Sequence, residues 1–409
     1  LYTGRRVYPF HNADFRLKGD FVGAPGWGPI PEEQPTLAEL LSEAGYRTAL
    51  VSDVYHMFKP SKNFWRGFDQ WTFLRGQEND PYRSGPRLTQ EQLDYWLPRQ
   101  LQNEDTVAFI QQCVMNIHDR TKEEDYFAPQ VLKTAAEWLE QNQDADRFFL
   151  TVESFDPHEP WLVPPHYRRM YLPDDGPEQV KSGYEDTLQL DEALLKRTRA
   201  NYYGNVTLCD RWFGHFMESL RVLGLLDDTL VVFTTDHGHS IGDRNYMGKR
   251  GYPSAPEVYD VPLMVRFPGA EHAGASSAMF VQHHDVSAAI LEAAGVEPPA
   301  EMEGRSFIGA ALAGALAAAL VSMVCNLTIG KKGYEDVDGP MSDLLAKSEA
   351  LRQELPQLLE ADTQVYSRVM AAYRLPRKSD EEKAARRAAM QSALKEAAEV
   401  PLTIAERCA

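Results

Sequence analysis

Cysteine is scarce in this sequence and never forms a close pair. The four cysteines, Cys113, Cys209, Cys325 and Cys408, are widely spaced along 409 residues, and no CxxC motif occurs. This pattern argues against a zinc site built on cysteines and against a disulfide framework, and it favours free thiols.

Positive charge is also in deficit. The chain has 42 Lys and Arg residues against 60 Asp and Glu residues, a formal net charge of -18. Such a surface repels phosphate, so no nucleic-acid partner is expected. The charge is compatible with a divalent cation held by carboxylates. It does not exclude an anionic substrate, because a local cluster of cations can dominate a pocket.

Long hydrophobic runs are nearly absent. The exception is residues 308–324, which are rich in Ala, Gly and Leu but slightly short for a membrane span. A buried helix or a poorly formed segment is favoured there over a membrane helix. Beyond residue 330 the chain is charged and helical in character, with a helix predicted to begin at Ser379. Any targeting signal could precede Leu1, so a cytoplasmic and a periplasmic location both stay open, and oligomeric state is not predicted.

What the sequence does contain is an alternation of strands and helices. Hydrophobic runs predict strands over residues 46–52, 147–153, 229–235 and 261–267. Helical spacing and end signals predict helices over residues 36–45, 126–142, 194–223 and 286–294. This order predicts a mainly parallel sheet covered by helices on both faces, with 229–235 as the clearest central strand.

Chemically active side chains follow three of these strands, where parallel sheets form their sites. The strongest motif runs from Thr234 through Asp236 and His237 and continues to Lys249. A carboxylate and an imidazole at a strand end can reach one cation, and Lys249 could face an anionic substrate. The structural alternative is a polar turn in which Asp236 caps a helix.

Two further histidines lie after strands. His158 stands between Pro157 and Pro160, which hold the turn rigid. A fixed imidazole can donate to an anion or act as a general acid. His56 follows the first strand. Each histidine taken alone is more simply explained as a structural residue.

Together these motifs resemble the sulfatases of the alkaline-phosphatase superfamily. The matching landmarks are Leu1-Tyr-Thr-Gly-Arg5, Asp156-Pro-His-Glu-Pro-Trp161, Thr235-Asp-His-Gly238, Gln282-His-His-Asp285 and Glu303-Gly-Arg-Ser306. The resemblance covers residues 1–307 and implies an α/β fold with an alkaline-phosphatase-like, mainly parallel sheet flanked by helices. Residues 308–409 are expected to form a divergent, mostly helical C-terminal region.

The resemblance also implies roles. Asp236 and His237 would bind a divalent metal ion, Ca2+ foremost, with Mn2+, Mg2+ or Zn2+ as alternatives. Lys249 would contact the sulfate and assist the leaving oxygen, and His158 would protonate that oxygen. His56 would bind the sulfate or support the nucleophile. The substrate would be a small-molecule or carbohydrate sulfate ester, attacked by a formylglycine while the metal polarises the sulfate.

Departures from the family pattern leave alternatives open. The sequence begins in the tail of the signature that normally holds the formylglycine precursor, and no cysteine stands in that context. The nucleophile and a pair of metal-binding aspartates are therefore expected in a segment before Leu1, and this chain alone is expected to be inactive. The Asp236-His237 pair also occurs in phosphodiester and phosphonate monoester hydrolases of the superfamily. A third possibility is a non-catalytic remnant that binds an anion or a partner.

Overall fold

The structure is a computed structural model. It divides into two compact units, one holding residue 2 and residues 6–273 and the other holding residues 1, 3–5 and 274–409. Residues 309–324 and the helix start expected at Ser379 lie outside the described residues. The described residues are 1–6, 29–59, 62–180, 185–186, 191–249, 255–271, 273–274, 277, 279–308 and short helical stretches between 338 and 395.

Strands and helices alternate through the unit that contains residues 6–273, as predicted. Its helices are α1 (Leu37–Glu43), α2 (Gln90–Trp96), α3 (Glu104–Ile117), α4 (Phe127–Gln141), α5 (Pro165–Arg169), α6 (Glu192–Val222) and α7 (Pro256–Tyr259). Its strands are β1 (Arg47–Ser52), β2 (Gln70–Phe73), β3 (Phe148–Glu153), β4 (Glu185–Asp186), β5 (Val231–Thr234), β6 (Ser240–Ile241), β7 (Tyr246–Gly248) and β8 (Leu263–Arg266). No helix in the described part of the chain is long and apolar enough to cross a membrane.

The first three strands form a parallel sheet in the order β2-β1-β3. Their register pairs Ser52 with Phe73 on one side and with Glu153 on the other, so the strands end level. The loops that leave β1 and β3 therefore start next to each other at one edge of the sheet. The prediction of parallel strands over 46–52 and 147–153 is confirmed.

Helices α4 and α6 pack against this sheet through one hydrophobic core. Its buried members are Ala49, Val51, Val131, Leu132, Ala135, Ala136, Trp138, Leu139, Phe216 and Leu220. The helix predicted over residues 126–142 is thus confirmed, and its buried residues form one apolar stripe. Leu50 points to the opposite face, where it packs with Ala38 of α1, because successive side chains of a strand alternate. Both faces of β1 are covered. This packing holds β1 in place, and β1 leads to the site.

Helix α1 begins and ends as its sequence predicts. The Thr36 hydroxyl accepts a hydrogen bond from the Glu39 amide, and the Glu39 carboxylate accepts one from the Thr36 amide. This capping box satisfies amides that the first helical turn leaves without partners. Gly45 has a φ of 85°, a backbone conformation that disfavours side chains with a Cβ atom.

The prediction of 229–235 as a central strand of the parallel sheet is wrong for the described residues. β5 pairs antiparallel with β8, with Val231 opposite Arg266 and Thr234 opposite Leu263. Its side chains are only partly buried. A continuous apolar run indicates a strand, but it specifies neither the neighbouring strand nor the pairing direction. Pro262 precedes β8, as the predicted edge or strand start requires.

The unit that contains residues 274–409 includes helix α8 (His283–Ala294), which ends at Gly295 in a left-handed conformation, as predicted. The Gly4 carbonyl accepts hydrogen bonds from the amides of Glu303 and Gly304, each at 3.0 Å. A Cβ atom on Gly4 would lie 2.4 Å from the Met302 side chain. Two of the sequence landmarks, Thr3-Gly-Arg5 and Glu303-Gly-Arg305, are therefore held together by backbone contacts.

Candidate functional site

His158 and Lys249 form the closest contact of the site. The Nδ1 atom of His158 lies 2.6 Å from the carbonyl oxygen of Glu159, and its Nε2 atom lies 2.5 Å from the Nζ atom of Lys249. Because a carbonyl oxygen only accepts, Nδ1 carries a hydrogen. Burial is the main cause that lowers the pKa of His158, against the opposing charge of Glu159. The neutral ring therefore presents Nε2 as an acceptor to the Lys249 ammonium.

Glu159 lies behind this pair. Its carboxylate is 3.3 Å from Nδ1 of His158, 3.6 Å from Nδ1 of His239 and 3.8 Å from Nζ of Lys249. Its side chain is only 4% exposed. Our sequence analysis assigned no role to Glu159 or His239, although both stand inside the motifs it used. The basic residues of those motifs were the available signal for these two positions. Their contact with Glu159 could not be predicted from it, because the contact forms only where two loops come together in the fold.

His239 is the most deeply desolvated histidine of this group. Burial lowers its pKa to about 4, and the Glu159 charge opposes that shift. The ring meets the Trp161 ring edge to face, with centroids 5.4 Å apart. Trp161 is itself buried, and its indole nitrogen donates to the Pro157 carbonyl at 3.0 Å. This packing attaches the segment after β5 to the loop that carries His158.

Asp236 and His237 follow β5 and lie beside His158. The His237 amide donates to Oδ1 of Asp236 at 2.8 Å, and Nδ1 of His237 lies 3.0 Å from the Gly238 carbonyl. Nε2 of His237 is then an acceptor, 3.5 Å from Oδ2 of Asp236. Two electron-rich atoms facing each other favour a cation near them. The rings of His237 and His158 lie 6.2 Å apart between centroids.

These two residues do not complete a metal site by themselves. Structural and catalytic metal ions usually have at least three protein ligands, and Ca2+ takes six to eight oxygen ligands. Among the described residues, no group of three or more His, Cys, Asp or Glu side chains is arranged to hold a metal ion. The Asp236 side chain is 78% exposed and that of His237 is 36% exposed. They fit part of a coordination sphere, and the predicted metal stays a prediction.

His56 lies at the other side of His158, separated from it by Phe155. The Phe155 ring is 4.1 Å from the His158 ring and 6.3 Å from the His56 ring between centroids. Nε2 of His56 contacts a carboxylate oxygen of Glu78 at 2.8 Å. The five predicted residues therefore form one continuous neighbourhood, with His158 contacting Lys249 most closely and His56 at its margin. Their assigned catalytic roles stay predictions.

Two buried aspartates support the loop that carries Phe155 and His158. Oδ1 of Asp53, directly after β1, accepts a hydrogen bond from the Phe155 amide at 2.7 Å. Asp156, three residues after the end of β3, accepts one from the Ala128 amide at 3.2 Å. Burial raises the pKa of both carboxyl groups, and for Asp53 the charge of Asp156 raises it further. These two aspartates thus accept hydrogen bonds from backbone amides and do not contact the five predicted site residues through these bonds.

An arginine lies near this pair of acids. Burial lowers the pKa of Arg120 to about 10, whereas the charges of Asp156 and Asp53 oppose that shift. Its guanidinium is stacked 3.9 Å from the centroid of the Phe127 ring. The arginine therefore supplies positive charge to an interior that holds two carboxyl groups, and it partly offsets the cost of ionising them.

Comparison with known proteins divides the chain into two matched parts. The family model described as sulfatase matches residues 3–296, and the model described as formiminotransferase-cyclodeaminase matches residues 309–409. A protein of Trinickia caryophylli, named multifunctional alkaline phosphatase superfamily protein PehA, is 26% identical over 327 residues, covering 68% of this chain and 61% of that protein. The methenyltetrahydrofolate cyclohydrolase of Methylorubrum extorquens is 52% identical over 99 residues, covering 24% of this chain and 48% of that protein.

The fold is shared with a solved structure. The phosphonate monoester hydrolase of Agrobacterium radiobacter superposes with a TM-score of 0.53 and 21% sequence identity, over 76% of this chain and 66% of that one. This likeness shows the fold and confirms the predicted alkaline-phosphatase-like architecture. The chain spans about half to three fifths of the length of the two curated relatives above.

The burial of Asp53 predicts a pH-dependent stability that Asp53→Asn removes. The folded state holds the Asp53 proton more tightly than the unfolded state, because burial raises its pKa. This stabilisation is complete below the unfolded pKa of about 4 and is lost as pH rises through the folded pKa. From about pH 4 to about pH 8, the unfolding free energy of the parent should fall relative to that of the variant.

Urea unfolding at a series of pH values measures this difference. Asp144→Asn is the matched control, because the Asp144 side chain is 78% exposed. The parent and this control should differ by the same small amount at every pH. A parent-minus-Asp53→Asn difference that is equally flat would contradict the raised pKa of Asp53.

Proposed function

Since the chain belongs to the sulfatase family, we propose that it takes part in hydrolysing a sulfate ester, of a small molecule or a carbohydrate, at the pocket around His158 and Lys249. The match spans residues 3–296, which include all five predicted site residues. The same membership supports a hydrolase of the superfamily as the coarser assignment.

The contact between Nε2 of His158 and Nζ of Lys249 carries this proposal. Cleaving an ester bond to sulfur leaves negative charge on the departing oxygen, which a positioned proton donor neutralises. The pair holds one exchangeable proton at the rim of the pocket, between a neutral imidazole and an ammonium. The ammonium also attracts the sulfate group, although the net charge of the whole chain is -18.

The remaining predicted residues fit supporting roles. Asp236 and His237 would bind a divalent cation together with ligands from elsewhere, and we propose Ca2+ for that position. Such a cation would polarise the sulfate group. We propose a formylglycine as the attacking group, by resemblance to the family. His56 would adjoin the anion from the far side of Phe155, with Glu78 orienting its ring.

A phosphodiester or phosphonate monoester is the alternative substrate. The adjacent Asp236-His237 pair favours it, since the resemblance associates that pair with such hydrolases. The structural neighbour from Agrobacterium radiobacter is itself named a phosphonate monoester hydrolase. Both ester classes share a tetrahedral anionic centre and a departing oxygen, so the His158–Lys249 pair serves either reaction.

Lys249→Met is expected to weaken anion binding. The variant keeps the length of the side chain and removes its charge from a partly buried position. Loss of one cation at such a site should raise the dissociation constant for inorganic sulfate by about tenfold or more, which is about 1.4 kcal/mol. Titration with sulfate, followed by the NMR shifts of the histidine rings, measures the constant.

Lys196→Met is the control for that substitution. Lys196 lies on α6, is 63% exposed and pairs with Glu192, so its variant should bind sulfate as the parent does. Equal sulfate affinity in the Lys249→Met variant and the parent would remove Lys249 from the anion site.

The substrate class predicts a difference in rates. A sulfatase should hydrolyse an aryl sulfate with a higher kcat/KM than an aryl phosphodiester or aryl phosphonate monoester that has the same leaving group. Matching the leaving group removes its chemical reactivity from the comparison. Purified protein that carries the proposed formylglycine, assayed on the three esters, gives the ratio, and a preference for either phosphorus ester would replace the sulfate assignment with the alternative.

We propose a separate, folate-linked function for residues 309–409. Their 52% identity to a methenyltetrahydrofolate cyclohydrolase over 99 residues is the observation that favours it. The full chain should bind 5,10-methenyltetrahydrofolate with a dissociation constant below about 1 mM. Lys249→Met should leave this constant unchanged. Absence of binding up to that concentration, followed by the absorbance of the methenyl group, would contradict the proposal.

A further inference from the structure

Glu159 joins two segments that are distant in the sequence. The loop after β3 contributes Glu159 and His158, and the segment after β5 contributes His239 and Lys249. The Glu159 carboxylate lies within 3.8 Å of a nitrogen on each of the other three. One acidic side chain thus contacts the basic groups of both segments.

A buried carboxylate is costly to hold for stability alone. Removing an ionised group from water costs several kcal/mol, and an apolar side chain of similar size is often as stabilising at such a position. Lys249 offsets part of this cost, but its ammonium is nearer to His158, at 2.5 Å, than to Glu159, at 3.8 Å. The geometry therefore directs Lys249 to the imidazole and leaves the carboxylate beside the opposite ring nitrogen.

The surroundings of that nitrogen specify one tautomer of His158. Nδ1 faces two oxygen atoms of Glu159, the backbone carbonyl at 2.6 Å and the carboxylate at 3.3 Å. Both oxygens only accept hydrogen bonds. A ring with its hydrogen on Nε2 would set the Nδ1 lone pair against both oxygens and would point its N–H at the Lys249 ammonium. Both of those contacts are repulsive.

We propose that Glu159 is a positioning residue, whose carboxylate holds His158 in the form with hydrogen on Nδ1 and directs Nε2 toward Lys249. The tautomer follows from the contacts alone. Its consequence for turnover rests on the proposed function, because only a reaction with a departing oxygen uses the proton shared by His158 and Lys249. Glu159 acts through His158 and needs no contact with substrate.

Glu159→Gln tests the tautomer directly. The amide keeps the size of the side chain, but its N–H can donate to Nδ1 and so supports the other form of the ring. Two-bond nitrogen–proton NMR spectra of protein labelled with 15N-histidine distinguish the forms at a pH where the ring is neutral. The ratio of the Nε2–H form to the Nδ1–H form should rise about tenfold or more relative to the parent, because the amide removes a negative charge that lies 3.3 Å from the Nδ1–H.

Two further variants control the measurement. Glu178→Gln makes the same change at a buried carboxylate that pairs with Arg168 at 3.5 Å, and it should leave the His158 ratio at the parent value. Glu159→Asp keeps the charge and should retain the Nδ1–H form, so it also serves if the glutamine variant is insoluble. An unchanged ratio in Glu159→Gln, or an equal shift in Glu178→Gln, would overturn the inference.

The kinetics of ester hydrolysis provide a second, separate test. In Glu159→Gln, kcat should fall more for esters with poor leaving groups than for those with good ones, while KM stays near the parent value. A merely structural defect would lower both rates by the same factor. A parent protein that carries the proposed formylglycine and hydrolyses no ester would count against the proposed function, whereas the tautomer ratio would still decide the role of Glu159.

Discussion

The level ends of β1 and β3 are the constraint on which the rest of the site depends. Their parallel register pairs Ser52 with Glu153, so the residues that follow, Asp53 and the loop from Ser154, leave the sheet side by side. The hydrogen bond from the Phe155 amide to Asp53 then joins the two exits at 2.7 Å. Phe155 packs on the His158 ring, so a buried acid on one strand fixes the direction of an imidazole on the other.

The charges around the site differ from the net charge of the whole chain. A chain with a formal charge of -18 nevertheless gathers Lys249 and three histidines around one shallow region. The nearest buried carboxylate, Glu159, lies behind the imidazole and contacts its inner nitrogen. Negative charge thereby lies beside Nδ1 of His158, and the positive charge of Lys249 lies at Nε2, where the lysine side chain is 21% exposed. The proposed anion site of this acidic protein thus depends on the ammonium of Lys249, because His158 is neutral and burial lowers the pKa of His239 to about 4.

Sequence reasoning recovered the parts that depend on local chemistry. The helix cap at Thr36, the glycine turn at Gly45 and the buried stripe of α4 follow from neighbouring residues, and the structure contains all of them. The pairing of β5 did not follow, because an apolar strand carries no information about its partner. Glu159 and His239 were also missed. Their importance comes from a contact between residues 80 positions apart, which spacing within either motif does not indicate.

The described residues of the site offer groups for only one part of ester hydrolysis. His158 and Lys249 can manage a proton and hold an anion, whereas Asp236 and His237 offer a cation only two donors. Ester hydrolysis also needs an attacking group and a complete electrophilic site. The described residues thus fit the leaving-group side of the proposed reaction. That side is common to sulfate and phosphonate esters, which explains why its geometry alone does not separate the two substrate classes.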